Sequence, residues 1–72
     1  MTPITIDEAM AFWRMADKKF RDSDKQPRDY RNYANRIGQL AKRAPAKLAE
    51  RWIEQAISYR RIADAVEAME KG

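Results

Sequence analysis

The chain has 72 residues, a net charge of +4, 36% charged and 44% hydrophobic residues, and neither cysteine nor histidine. A chain this short makes one domain and buries only about 60% of the surface its unfolded form exposes. Residues 1–72 are therefore expected to form a single domain, without disulfides, without zinc sites of the usual Cys/His kind and without the commonest general base.

No apolar run approaches the roughly 18 residues that a membrane span needs. Met1-Thr2-Pro3-Ile4-Thr5-Ile6-Asp7-Glu8 is acidic where a secretory signal is basic and then apolar, so a cytoplasmic location away from membranes is expected. The only glycines are Gly38 and Gly72, too few for a phosphate-cradling loop. The paired carboxylates Asp7-Glu8 and Asp22/Asp24 have no histidine and no glycine-rich loop beside them. A binding protein is expected rather than an enzyme, with no cofactor and no metal.

The first helix is predicted from Ile6 to Phe20 or Arg21. Thr5 caps it, and Glu8 three residues on completes a capping box. Ile6, Ala9, Met10, Trp13, Ala16 and Phe20 fall on one face at helical spacing, while Phe12 and Met15 fall off it. Asp22-Ser23-Asp24-Lys25-Gln26 breaks the pattern, and Pro27 suits the first turn of a second helix over residues 27–44. Its apolar stripe is Tyr30, Tyr33, Ala34, Ile37, Leu40, Ala41 and Ala44. Gly38 inside it costs roughly 1 kcal/mol relative to alanine, which a close helix crossing would explain. Ala44-Pro45 ends this helix, because the residue before proline is pushed out of the helical region.

The third helix is predicted over residues 45–69 and is the longest. Its apolar positions, from Leu48 through Trp52, Ile53, Ile57, Tyr59, Ile62 and Val66 to Met69, cover more than half its circumference. Either both shorter helices pack against it, or part of it faces a second copy of the chain. The predicted fold is an all-α three-helix bundle, with Trp13 and Trp52 at the centres of their stripes as core anchors. Tyr30, Tyr33 and Tyr59 also lie on apolar stripes, and Tyr30 and Tyr59 are expected to be partly exposed.

Positive charge is concentrated in the middle of the chain. Residues 24–61 carry ten basic and four acidic groups, whereas residues 62–72 carry one and three. The polar face of the second helix holds Arg28, Arg31, Asn32, Asn35, Arg36, Gln39, Lys42 and Arg43, with Asp29 the only acid on that helix. A face made only for solubility mixes both signs, since i,i+4 pairs add stability. These eight residues are the expected partner-binding face, free of any duty in the fold, and Lys47, Arg51, Arg60 and Arg61 extend the basic zone. The first expectation is an inhibitor or adaptor docking on an acidic protein surface. Nucleic acid, bound by a small regulator, and a phosphorylated nucleotide held at an oligomer interface are the alternatives.

Phe12 and Met15 form a possible secondary apolar contact. On the third helix Ile57 sits apart from Ile62 and Val66; the three residues form a possible homodimer interface, with Ile57 or Ile62 at the contact. In a bundle this small both sets can equally cover other side chains of the same chain.

The segment Arg51-Trp52-Ile53-Glu54-Gln55-Ala56 resembles the third helix of one family of helical sponges for immune-signalling nucleotides. In its overall look, short, cysteine-free, helical and charge-polarised, the chain is similar to small phage-encoded accessory proteins, including anti-CRISPR proteins. The resemblance spans six residues and assigns no functional residue. It implies a protein that blocks or sequesters a component of a bacterial host or its defence.

Overall fold

A computed structural model describes residues 3–71. Three helices follow in chain order: α1 (Ile6–Arg21), α2 (Pro27–Ala41) and α3 (Ala46–Lys71). They form an all-α three-helix bundle, with α3 the longest at 26 residues. The two shorter helices do not both line α3. α2 lies in the middle, with α1 and α3 each packed on it, and α1 makes no close backbone approach to α3.

The helix starts follow local chemistry. The Glu8 N–H donates to Thr5 Oγ1 (3.1 Å), and Glu8 Oε1 accepts from the Thr5 N–H (3.2 Å). Two otherwise orphaned donors are thereby satisfied at the start of α1. Pro27 opens α2, and the Asp29 carboxylate accepts from the Gln26 N–H (3.0 Å). Asp29 therefore serves as a helix cap.

The ends depend on longer-range contacts. α2 stops at Ala41, three residues before its predicted end, and Lys42–Ala44 form a turn. Lys42 and Arg43 donate their N–H groups to the carbonyls of Gln39 and Leu40 (3.2 and 3.1 Å), the tightening usual in a last turn. The Arg43 carbonyl is taken by the Ile4 N–H (3.0 Å), and Ala44 must leave the helical region before Pro45. Pro45 lies outside α3, which begins at Ala46 and runs two residues past its predicted end to Lys71; the Pro45 carbonyl accepts from the Ala49 N–H (2.9 Å). After α1, Lys25 adopts φ +57°, unusual for a side chain with a Cβ. Its ammonium donates to the carbonyls of Phe20 and Arg21 (2.7 and 2.9 Å) and sits 4.7 Å from the Phe20 ring centroid. The cation thus closes the carbonyl end of α1 and uses the ring face as well.

Each helix buries a pair of alanines seven residues apart: Ala9 and Ala16, Ala34 and Ala41, Ala56 and Ala63. Two helical turns return nearly to the same azimuth, so each pair makes a narrow small-residue seam. Such seams bury little apolar area apiece. The load falls on a few large side chains: Ile37, which is fully buried, and Tyr33 and Trp52, each 3% exposed. Trp13 is only half-buried, and its indole N–H donates to the Tyr33 hydroxyl (3.1 Å). It seals the rim of the core and does not anchor its centre. Ile6, predicted on the core stripe, is 57% exposed, because Ile4, tied to Arg43, takes the buried place at that end.

Phe20 joins all three helices. Its ring centroid lies 4.6 Å from that of Tyr33 on α2 and 5.4 Å from that of Tyr59 on α3. Tyr30 and Tyr59 complete the cluster and are partly exposed, as expected. Gly38 does not serve a tight crossing. A Cβ built there would meet nothing nearer than Arg60 Nη2, at 3.8 Å, which is ordinary van der Waals contact.

Two stability measurements check this packing. Trp52→Ala removes one of the few large core side chains and should cost about 3–5 kcal/mol, comparable with the lower end of the roughly 5–15 kcal/mol of a whole domain. Its cooperative thermal transition should be lost or fall far below that of the parent; a melt within a few degrees would refute the core assignment. Gly38→Ala should instead raise stability by about 0.5–1 kcal/mol, since the added methyl has room and alanine favours the helix. A lower melting temperature would mean that α2 and α3 meet more tightly here than the geometry allows.

Candidate interaction face

The eight polar residues of the predicted second helix, of which Lys42 and Arg43 lie in the turn after α2, divide into two groups. At its N-terminal half one cation, Arg31, is neutralised from within the molecule. Arg31 Nη2 donates to Asp64 Oδ1 at 2.9 Å and also pairs with Glu67, both on α3. Lys71 pairs with the other Glu67 oxygen at 3.4 Å. Arg28 lines the same recess together with Asp24, Glu67 and Glu70. Asn32 borders a second recess, toward the end of α1, where Lys19 and Arg36 are mixed with Asp22 and Asp29. The expectation that all five α2 cations lack acidic partners is therefore wrong for Arg31. Its partners lie 33 and 36 positions away, beyond the reach of i,i+4 reasoning.

At the C-terminal half the balance is different. Asn35, Arg36, Gln39 and Arg43 border a groove of about 460 Å³ between α1 and α2, whose apolar side is Phe12, Met15 and Leu40. On the other flank Asn35, Gln39 and Lys42 border a groove of about 340 Å³ between α2 and α3, faced by Ile53, Ile57 and Arg60. Neither lining contains a carboxylate, and Arg36, Lys42, Arg43 and Arg60 make no ion pair among the described residues. The two grooves share Asn35 and Gln39, so they are the two shoulders of one ridge. Exposed apolar side chains flank it: Met15 is 70% exposed and Ile53 50%.

The structure thus brings Phe12 and Met15 to the basic ridge. It does not gather Ile57, Ile62 and Val66 into one surface. Ile57 faces the α2–α3 groove, and Ile62, five residues on, is turned about 140° from it at 100° per residue. Of the cations expected to extend the zone, Arg60 lines the ridge. Ile53 was assigned to the general apolar stripe of α3; its place beside Lys42 follows from the antiparallel register of α2 and α3, which one helix pattern does not contain.

Three ionisations are displaced. Arg31 is raised from its already high value by its hydrogen bonds to Asp64 and Glu67. Glu67 is held below the usual carboxylate range by hydrogen bonds from Arg31 and then Lys71. Burial pushes the Tyr33 hydroxyl up, partly offset by the hydrogen bond from Trp13. All three belong to the framework, and none lies on the acid-free ridge.

Among the described residues no helix is long and apolar enough to cross a membrane, and no group of three or more metal-ligating side chains gathers. No protein-family model, curated protein or solved structure matches the chain.

The Arg31–Glu67 pair gives a pH prediction. Glu67 has a lower pKa folded than unfolded, so its contribution is complete above the unfolded value of about 4.3 and is lost as pH falls through the folded one. Melting temperature should drop on acidification below about pH 5, and Glu67→Gln should flatten that limb of the profile. An unchanged limb in Glu67→Gln would show that this pair adds nothing to the fold.

Proposed function

We propose that the chain is a non-enzymatic interaction protein that docks the C-terminal half of α2 and the turn after it on an acidic protein surface, as an inhibitor or adaptor. One observation carries this reading: two adjoining grooves lined by four cations and no carboxylate. Exposed basic groups that form no ion pair among the described residues add little to the monomer. They are free for charge-assisted hydrogen bonds to a partner. The flanking apolar side chains favour protein over nucleic acid, because protein–DNA interfaces are the more polar and Phe12, Met15, Ile53 and Ile57 would face phosphates to no advantage. Blocking of a host component, as the phage-protein resemblance implies, is one form such docking takes.

The test compares three immobilised forms in lysate of the source cells, with and without nuclease treatment. The wild type and the Lys18→Glu/Lys19→Glu control should retain the same protein. Arg36→Glu/Arg43→Glu should bind it about tenfold or more weakly, since an acidic surface then meets like charge. Its melting point should stay near the parent's, because exposed substitutions usually change stability by less than about 0.5 kcal/mol. Equal retention by the Arg36→Glu/Arg43→Glu form would remove the ridge from the site. Retention that disappears with nuclease and falls steeply with salt would favour nucleic acid instead.

A further inference from the structure

Arg60 on α3 is set differently from Arg31, one layer along the same helix pair. Its natural i+4 partner is Asp64, but the Asp64 carboxylate is engaged by Arg31 at 2.9 Å. Arg60 Nη2 donates instead to the neutral Asn35 Oδ1 at 3.2 Å. The guanidinium is thereby positioned without being neutralised. It has five N–H donors, and the amide oxygen accepts from only one of its nitrogens.

The groove it enters, of about 340 Å³, also receives Lys42 and Gln39. Ile53 and Ile57 give it an apolar side, and Ala56 and Gly38 line it with almost no side chain. A methyl at Gly38 would fit the empty groove, so packing between the helices does not explain the glycine. Glycine within a helix does permit close approach of a ligand to backbone.

We propose that this α2–α3 groove is a subsite for a phosphomonoester dianion attached to a small aromatic or apolar group. Arg60 presents a planar fork to two phosphate oxygens, and Lys42 supplies a second, point-like positive charge. Two uncompensated cations match a dianion, whereas a carboxylate leaves one unpaired. The apolar group rests against Ile53 and Ile57. This groove is one of the two on which the docking reading rests, but neither Arg36 nor Arg43 lines it, so the Arg36→Glu/Arg43→Glu reversal and the titration below test the two separately. Either can fail without the other.

The experiment is an NMR titration of the full chain with phenyl phosphate, inorganic phosphate and benzoate at constant ionic strength. Phenyl phosphate should bind saturably with a Kd of about 1 mM or below, a reasonable value for so small a ligand. The shifts should concentrate on the Gly38 amide, Arg60 Nε and the Ile53 and Ile57 methyls. Inorganic phosphate and benzoate should each bind about tenfold or more weakly, lacking respectively the apolar contact and the second charge. Arg60→Gln and Lys42→Gln should each cost about a factor of ten, Arg60→Lys should fall between, and Lys18→Gln should match the parent. Both cations are exposed, and an unchanged amide spectrum elsewhere confirms that the variants fold. The proposal is overturned if shifts spread over all exposed cations, if Arg60→Gln binds like the parent, or if benzoate binds as well as phenyl phosphate.

Discussion

The contact of Phe20 with Tyr33 and Tyr59 decides the shape of the whole molecule. α1 has no close backbone approach to α3, and the aromatic rings reach across where the backbones do not. Offset and edge-on aromatic pairs add to what their buried area contributes. Here they are reinforced by the Trp13 N–H on the Tyr33 hydroxyl and by Lys25 over Phe20. Since α1 and α3 meet on one side of α2 through these rings, the opposite side of α2 stays open. The interaction ridge is the consequence. Its shoulders are the edges of α1 and α3 that the bundle leaves uncovered, and that is why Met15 and Ile53 stay exposed on either side of it.

A second constraint divides α2 along its length. The acids of the chain's last segment lie on the end of α3, and the antiparallel packing sets that end beside the start of α2. Arg31 is consumed there, with Asp64 and Glu67. Farther along, Arg36, Lys42 and Arg43 make no ion pair among the described residues. The same pairing withdraws Asp64 from Arg60 and leaves that arginine to an amide. Ion pairs this exposed contribute modestly and are weakened by salt. Their larger effect is to determine which cations stay available for something outside the chain.

What was legible in the sequence was local. The Thr5–Glu8 box, Pro27 at a first turn, the stripe through Tyr33, Ala34, Ile37 and Ala41, and the burial of Trp52 all arise within a few residues, where periodicity and capping operate. The exposed polar face of α2 was legible too, together with Phe12 and Met15 on the flank of α1. The misses arise from contacts between distant segments. Ile4 takes the carbonyl of Arg43, so α2 ends early and Ile6 is displaced from the core. Arg31 finds its acids on another helix, so a face that looked uniformly unpaired has one of its five cations committed to the framework. The separation of Ile57 from Ile62 and Val66 was legible as well, since a five-residue spacing turns Ile57 and Ile62 about 140° apart.

The central claim is that α2 carries structural charge at its start and available charge at its end. Thermal unfolding of two single charge reversals, Arg31→Glu and Arg43→Glu, at low ionic strength tests this without any partner. Arg31→Glu places a third carboxylate against Asp64 and Glu67 and should lower the melting temperature clearly, with the loss shrinking as salt is added. Arg43→Glu should melt at or near the parent temperature. Equal melting temperatures for the two variants, or a larger loss for Arg43→Glu, would contradict the division of α2 on which the interaction face rests.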